Sequence, residues 1–471
     1  MATNIKDGVF WSAVERFSTQ GCQFLLSIFI ARLVLPEEYG LVAMLTIFLS
    51  VTQIFVDSGF SYALLQKKTK DESDFSTAFI VNVLLSLFAY GLFFCIAPII
   101  AHFYEEPRLT IICRFSFVVL IINSFSSIQG TRLVLRGAFR LLTKISLISV
   151  ISSGLLGVFL AYKGYGVWAL VFQSIASSII NCILLWIVGE KMKEFVFSKE
   201  SFNSLFGFGS KILCTSLLDT MYTNLYNLAI GKVYRPTELG YYNRAYTFSQ
   251  FPSRNIYNIC SRVIFPKLSE MQNDGKNHVD FFCKYIRMLC YIIFPLMIGL
   301  SALAKPFVVV TLTEKWLPCA DYISILAIAY MLFPLMNAHF DFVNSLGYSN
   351  YSLQAEIIKK VAGFSILLIT LWGGVKLLCY GLIIANILDI VIMVAYAKRI
   401  SSYNYSRLVK EIIPILLIVL PMGIVVHIVA GLFDNPLISL FVGGVLGVLF
   451  YIGLSYIFKI KEIKILQIIT R

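Results

Sequence analysis

Hydrophobic residues fall in runs of about 20 along nearly the whole chain, separated by short polar breaks; an apolar helix of that length matches the roughly 30 Å hydrocarbon core of a bilayer. Ile383–Ala397, Ile412–Ala430 and Leu437–Phe458 are clear instances. The pattern predicts an all-α polytopic membrane protein with about 14 spans. They lie near residues 10–34, 40–64, 76–99, 109–129, 144–162, 166–188, 208–232, 240–264, 281–303, 321–343, 352–373, 378–397, 409–431 and 436–458. The breaks carry turn residues, as in Leu35-Pro36-Glu37-Glu38, Lys163-Gly164-Tyr165-Gly166, Arg235-Pro236-Thr237, Leu346-Gly347-Tyr348-Ser349 and Phe433-Asp434-Asn435-Pro436. An even number of spans puts both termini on one side.

Composition agrees, with 58% hydrophobic and 14% charged residues. The longest breaks, around 189–207 and 265–280, are too short to fold as domains, so function is expected to reside in the helices. The net charge of +13 is unevenly spread. One set of connections holds Lys67, Lys68, Lys70, Arg132, Arg136, Arg140, Lys144, Lys191, Lys193, Lys199, Arg262, Lys267, Lys276, Lys398, Arg399, Arg407, Lys410, Lys459, Lys461 and Lys464. The opposite set holds little beyond Arg32, Arg108, Lys163, Arg235, Lys305, Lys315 and Lys376. Basic residues accumulate on the cytoplasmic side, so the first set and both termini are expected there. Scattered over so many loops, these charges suit anionic head groups rather than nucleic acid. Met1–Gly8 is polar and no cleavage site follows a short apolar stretch, so the first span is expected to be retained. The ten cysteines lie mostly inside spans and form neither a CxxC pair nor a disulfide framework.

A repeat appears at a shift of 200 residues. Ile30–Gly40 aligns without gaps on Ile230–Gly240, sharing Ile30/Ile230, Pro36/Pro236, Glu38/Glu238 and Gly40/Gly240, with a basic residue at both 32 and 232. The same shift pairs Phe48 with Phe248, Ser61 with Ser261 and Lys67 with Lys267. Six spans separate the copies, so both point the same way. Parallel repeats about an axis along the membrane normal are a transporter arrangement, with substrate between the halves.

Several charges fall where hydrocarbon should exclude them, at a cost of about 2.5–3.5 kcal/mol each on insertion scales. Glu15 and Arg16 lie in the first span, Asp57 in the second, Asp219 in the seventh, Arg244 and Arg254 in the eighth, His339 and Asp341 near the inner end of the tenth, and Asp389 in the twelfth. Matching depths on antiparallel neighbours would let Arg16 meet Asp57 and Asp219 meet Arg254. Such pairs either lock the bundle or line an aqueous cleft and switch partners as it opens. Arg254 is the first candidate for a substrate contact, because guanidinium grips phosphate oxygens bidentately. Arg244 lies ten residues earlier on broadly the same side of the helix. Arg16, Asn255, Asn258 and Tyr257 complete the candidate substrate-binding set, and Glu15, Asp57, Asp219 and Asp389 the charge-pairing set. Asn224, Asn227, Tyr222, Tyr226 and Tyr246 are of the same kind, although helix–helix hydrogen bonding explains single polar residues equally well. His339 is the one histidine placed for proton coupling.

No GxxxxGK[ST] loop, HExxH motif, CxxC pair or acidic loop cluster is present, so the sequence suggests no catalytic residues, no metal site and no direct use of ATP.

The turn Leu35–Gly40, the stretch Gln129-Gly130 with Leu135–Arg140, Gly164-Tyr165-Gly166-Val167-Trp168-Ala169-Leu170-Val171, and Glu314-Lys315-Trp316-Leu317-Pro318 together resemble bacterial polysaccharide flippases. These are the Wzx type of the multidrug/oligosaccharidyl-lipid/polysaccharide (MOP) exporter superfamily. Gly137-Ala138 departs from the family pattern, which often has a second basic residue there. The resemblance implies a MATE-like fold of two six-helix lobes, 1–200 and 201–400, with two further spans and a basic tail in 401–471. It implies an undecaprenyl-diphosphate-linked oligosaccharide as substrate, alternating access in the bacterial inner membrane, no cofactor, and coupling to a proton or sodium gradient or to membrane potential. A polysaccharide polymerase and glycosyltransferases are the candidate partners, beside membrane lipids. A drug or cation antiporter of the same superfamily would rely on carboxylates in the cleft. A peptidoglycan-precursor flippase is a second alternative. A membrane-embedded glycosyltransferase or polymerase would need a large outer loop.

Overall fold

The computed structural model describes residues 5–460 apart from 58, 191, 193, 194, 273 and 459, with side chains from residue 18 onward. Among the described residues every regular element is helical. The chain divides into two compact units at Gly240/Tyr241.

The first unit contains α1 (Ile5–Leu33), α2 (Pro36–Asp57), α3 (Phe60–Gln66), α4 (Glu72–Tyr104), α5 (Leu109–Ser116), α6 (Val118–Leu135), α7 (Phe139–Tyr162), α8 (Val167–Val188), α9 (Lys199–Val233) and the start of α10 (Pro236–Glu270). Here α1 packs on α7, α7 on α8, α4 on α6, and α9 on α2 and α4. The rest of α10 belongs to the second unit with α11 (Lys276–Ala302), α12 (Ala304–Leu312), α13 (Leu317–Met331), α14 (Phe333–Ser345), α15 (Ser349–Thr370), α16 (Val375–Ile400), α17 (Tyr405–Gly431) and α18 (Pro436–Ile457). In that unit α11 packs on α13 and α17, α17 on α18, and α16 on α13 and α15.

Each expected span coincides with a helix or a broken pair of helices. Proline at the first position starts α2, α10 and α18, where its missing N–H costs nothing. Polar caps hold other starts: the Ser198 side chain accepts from the Ser201 N–H, and Asn404 from the Arg407 N–H. Among the described residues ten helices or helix pairs are long and apolar enough to cross a membrane. The 35-residue α9 and α10 have the length but not the apolarity to be among them. A helix of that kind needs water or protein, not lipid, along part of its surface.

Two expectations need correction. The second span does not run through 40–64; α2 stops at Asp57 and the chain re-enters helix at Phe60. The break at 265–280 is mostly helical, because α10 runs to Glu270 and α11 begins at Lys276. His278 is a buried α11 residue within 3.2 Å of the Ser345 hydroxyl.

The two turns of the repeat touch one another. A Cβ on Gly40 would lie 1.7 Å from the Pro236 carbonyl oxygen, and one on Gly240 would lie 1.9 Å from that of Pro36. The two equivalent turns therefore cross at backbone distance, each glycine under the other copy's proline. The Gly-Tyr-Gly turn before α8 is likewise pressed on Glu38, whose Oε1 would be 2.0 Å from a Cβ on Gly166.

Candidate functional site

The polar face of α10 in the second unit is the candidate site. Its lower-numbered part is fixed by Tyr241, whose hydroxyl donates to the Lys315 carbonyl (3.2 Å) and whose ring meets buried Trp316 edge-on. The Glu-Lys-Trp-Leu-Pro element thus anchors this helix. Arg244 is buried at 7% exposure. Pro252 removes one helical N–H. Two residues later Arg254 is exposed, flanked by half-buried Asn255 and Asn258. The Asn255 amide donates to the Phe251 carbonyl at 2.8 Å, which fixes that side chain and leaves its oxygen available.

Tyr257 plays a different part from the one expected. Its hydroxyl donates to Asp341 Oδ2 at 2.6 Å, and Ser261 donates to the same oxygen at 2.7 Å. A buried tyrosine and a serine on α10 therefore hold an α14 carboxylate, tying the two helices together. His339 on α14 is fully buried: its Nδ1 donates to the Leu335 carbonyl (2.6 Å), so its Nε2 accepts from the Tyr403 hydroxyl (3.0 Å). Burial pushes the Tyr403 phenol up, which keeps it a donor. The histidine expected to carry protons is thus engaged at both ring nitrogens.

The remaining sequence candidates are dispersed. Asp57 closes α2 at the break before α3 and accepts from the Ser61 hydroxyl at 2.7 Å. Asp219 is an exposed α9 residue of the first unit. Asp389 sits 3.8 Å from the Lys359 ammonium, which also reaches Glu356 at 2.6 Å. Glu15 and Arg16 lie on α1, and their side chains fall outside the described residues.

Sequence reading missed three charged groupings. Lys359 is nearly buried on α15, signalled only by Glu356 three residues earlier in an apolar span. In the first unit buried Arg132 meets Glu72 at 2.6 Å and lies 3.9 Å from Glu190, with its guanidinium 4.6 Å above the Phe75 ring. Arg136 also pairs with Glu190, and Lys67 holds buried Asp74 at 2.7 Å. In the second unit Arg287 pairs with Glu411, and Arg407 with Asp280. A wholly different cavity of about 390 Å³ lies between α11, α17 and α18, lined by Leu296, Val426, Gly443 and Gly447. Beside it Pro295 frees the Tyr291 carbonyl, and the Tyr451 hydroxyl donates to that oxygen at 2.7 Å.

Taken chemically, α10 presents a guanidinium and amides on a helix of membrane-spanning length. Groups of that kind suit oxygen-rich anions.

Known proteins place the chain. It is 26% identical over 377 residues to the teichuronic acid biosynthesis protein TuaB of Bacillus subtilis, covering 79% of this chain and 78% of that one. It is 22% identical to the succinoglycan biosynthesis transport protein ExoT of Rhizobium meliloti, covering 87% and 80%. The lipopolysaccharide biosynthesis protein WzxC of Escherichia coli is 22% identical, covering 69% and 66%. Among solved structures, the lipid II flippase MurJ in an inward closed conformation matches with a TM-score of 0.77 at 17% identity, over 94% of this chain and 98% of that one. An inward-facing multidrug resistance MATE family transporter of the MOP superfamily matches with a TM-score of 0.63 at 14% identity, over 82% and 98%. The fold is therefore of the MurJ and MATE type, as the resemblance implied. Residues 29–321 match the family described as polysaccharide biosynthesis protein. That stretch is more than half of the sequence, and the chain belongs to this family.

Proposed function

We propose that this protein flips undecaprenyl-diphosphate-linked oligosaccharide units across the bacterial inner membrane by alternating access, with both termini cytoplasmic. The observation that carries the reading is the exposed Arg254 with Asn255 and Asn258 on α10, a helix of spanning length too polar for lipid contact. Guanidinium takes two oxygens of a diphosphate at once, and amides suit sugar hydroxyls. Arg244, and Arg16 on α1, extend the cationic set. The polyprenyl tail stays in hydrocarbon throughout. The names of TuaB, ExoT and WzxC support a surface-polysaccharide product. A cation antiporter would rely on carboxylates, yet Asp341 and Asp389 are already engaged by hydroxyls and an ammonium. A proton or sodium gradient supplies the driving force in this reading, and a polymerase and glycosyltransferases act on either side of the step.

Arg254→Ala should abolish surface polymer in cells at normal membrane expression, with Arg254→Lys retaining part of it. Wild-type polymer levels in Arg254→Ala would remove this residue from the substrate path.

A further inference from the structure

The second unit holds a second cationic cavity, away from the polar face of α10. Between the first half of α11 and the first two turns of α17 lies a space of about 570 Å³, within the range of small-molecule sites. Four cationic side chains line it, Lys284, Arg287, Arg407 and Lys410, against two carboxylates, Asp280 and Glu411. Cations exceed anions by two. Both carboxylates are spent on cross-helix pairs: Arg407 Nη1 meets Asp280 Oδ1 at 3.0 Å, and Arg287 meets Glu411. Those pairs orient the two guanidinium groups at the cavity wall. Lys284 and Lys410 are exposed and have no ion-pair partner among the described residues. Pre-set arginine forks with two mobile ammonium groups make a receptor for a phosphate-type anion.

The flank of the cavity selects the source of that anion. Beyond Lys410, α17 continues through Ile413 and Leu417, 45% and 64% exposed, on a helix apolar enough to span the membrane. A headgroup bound here would have its chains alongside bare aliphatic surface. Basic recesses between helices at the membrane boundary are where acidic lipid head groups lodge.

We propose that this cavity binds the phosphodiester headgroup of an anionic phospholipid from the leaflet next to the basic connections, as a site separate from the substrate path. The test uses the purified full-length protein in mild detergent, titrated with phosphatidylglycerol, phosphatidylcholine or inorganic diphosphate and read by native mass spectrometry. The wild type should hold phosphatidylglycerol in preference to phosphatidylcholine. Lys284→Gln with Lys410→Gln should weaken it roughly tenfold or more, and Lys68→Gln with Lys199→Gln, equal in charge and exposed in the first unit, should not. Equal affinity of the wild type and the Lys284/Lys410 variant, or equal loss in the control variant, would overturn the site. Diphosphate bound as tightly as the lipid, and displacing it, would overturn the lipid assignment in favour of a soluble anion.

Discussion

Two charged regions of this molecule are built from the same side chains and reach opposite ends. In the first unit Lys67, Arg132 and Arg136 are met by Asp74, Glu72 and Glu190, and the central members Arg132 and Asp74 are 4% and 1% exposed. The Nε of Arg132 has no acceptor among the described residues, and the Phe75 ring covers the guanidinium face instead. In the second unit Arg287 and Arg407 are paired, but two lysines are left over and the space between helices stays open. Matching carboxylates to cations gives a filled joint; a shortage of carboxylates gives a cavity. The difference lies in two residues of charge, not in fold.

The largest test of that contrast is Arg132→Ala. It removes a buried cation that joins α6 to α4 and leaves space under Phe75, so stability should fall by about 3 kcal/mol, read as a lowered midpoint of thermal unfolding in detergent. A midpoint unchanged from wild type would show that the first region is not a joint. An intermediate effect is expected at Arg287–Glu411, which is partly exposed at 31% and 16%. A double-mutant cycle with Arg287→Gln and Glu411→Gln should give a coupling of about 1 kcal/mol after solvent screening. Coupling near zero would mean the pair does not orient the arginine. The smallest effect belongs to Lys284→Gln with Lys410→Gln, which should move stability by no more than about 0.5 kcal/mol. A loss as large as that of Arg132→Ala would make both regions structural and erase the distinction.

The sequence made the helices legible and the pairings not. Apolar runs locate spans because lipid demands them, and Pro36, Pro236 and Pro436 mark starts by local backbone chemistry. Breaks inside an apolar run are different. At Phe117 and at Leu332 the chain changes helix while hydrophobicity continues, so periodicity carries no sign of it, whereas Asp57 and Gly59 do mark the break between α2 and α3. Ion pairs are harder still. Arg132 and Glu72 are 60 residues apart, Arg287 and Glu411 124, and Arg407 and Asp280 127. Each member sits near a span end, where a lone charge reads as a boundary marker. Depth matching between sequential neighbours paired Asp57 with Arg16, whose side chain lies outside the described residues, and gave no sign of the Ser61 hydroxyl that Asp57 accepts from. The candidate arginines of α10 were found because Arg254 lies mid-helix, where no boundary explains it.

The crossing of Gly40 under Pro236 and Gly240 under Pro36 has a consequence of its own. The two approaches are reciprocal, so the absent side chain of each glycine makes room for the same crossing. Both glycines then guard a single approach of backbones. Alanine at either position should force the seam apart, and alanine at both should destabilise little more than one alone, a strong non-additivity measurable as thermal midpoints of the two single variants and the double.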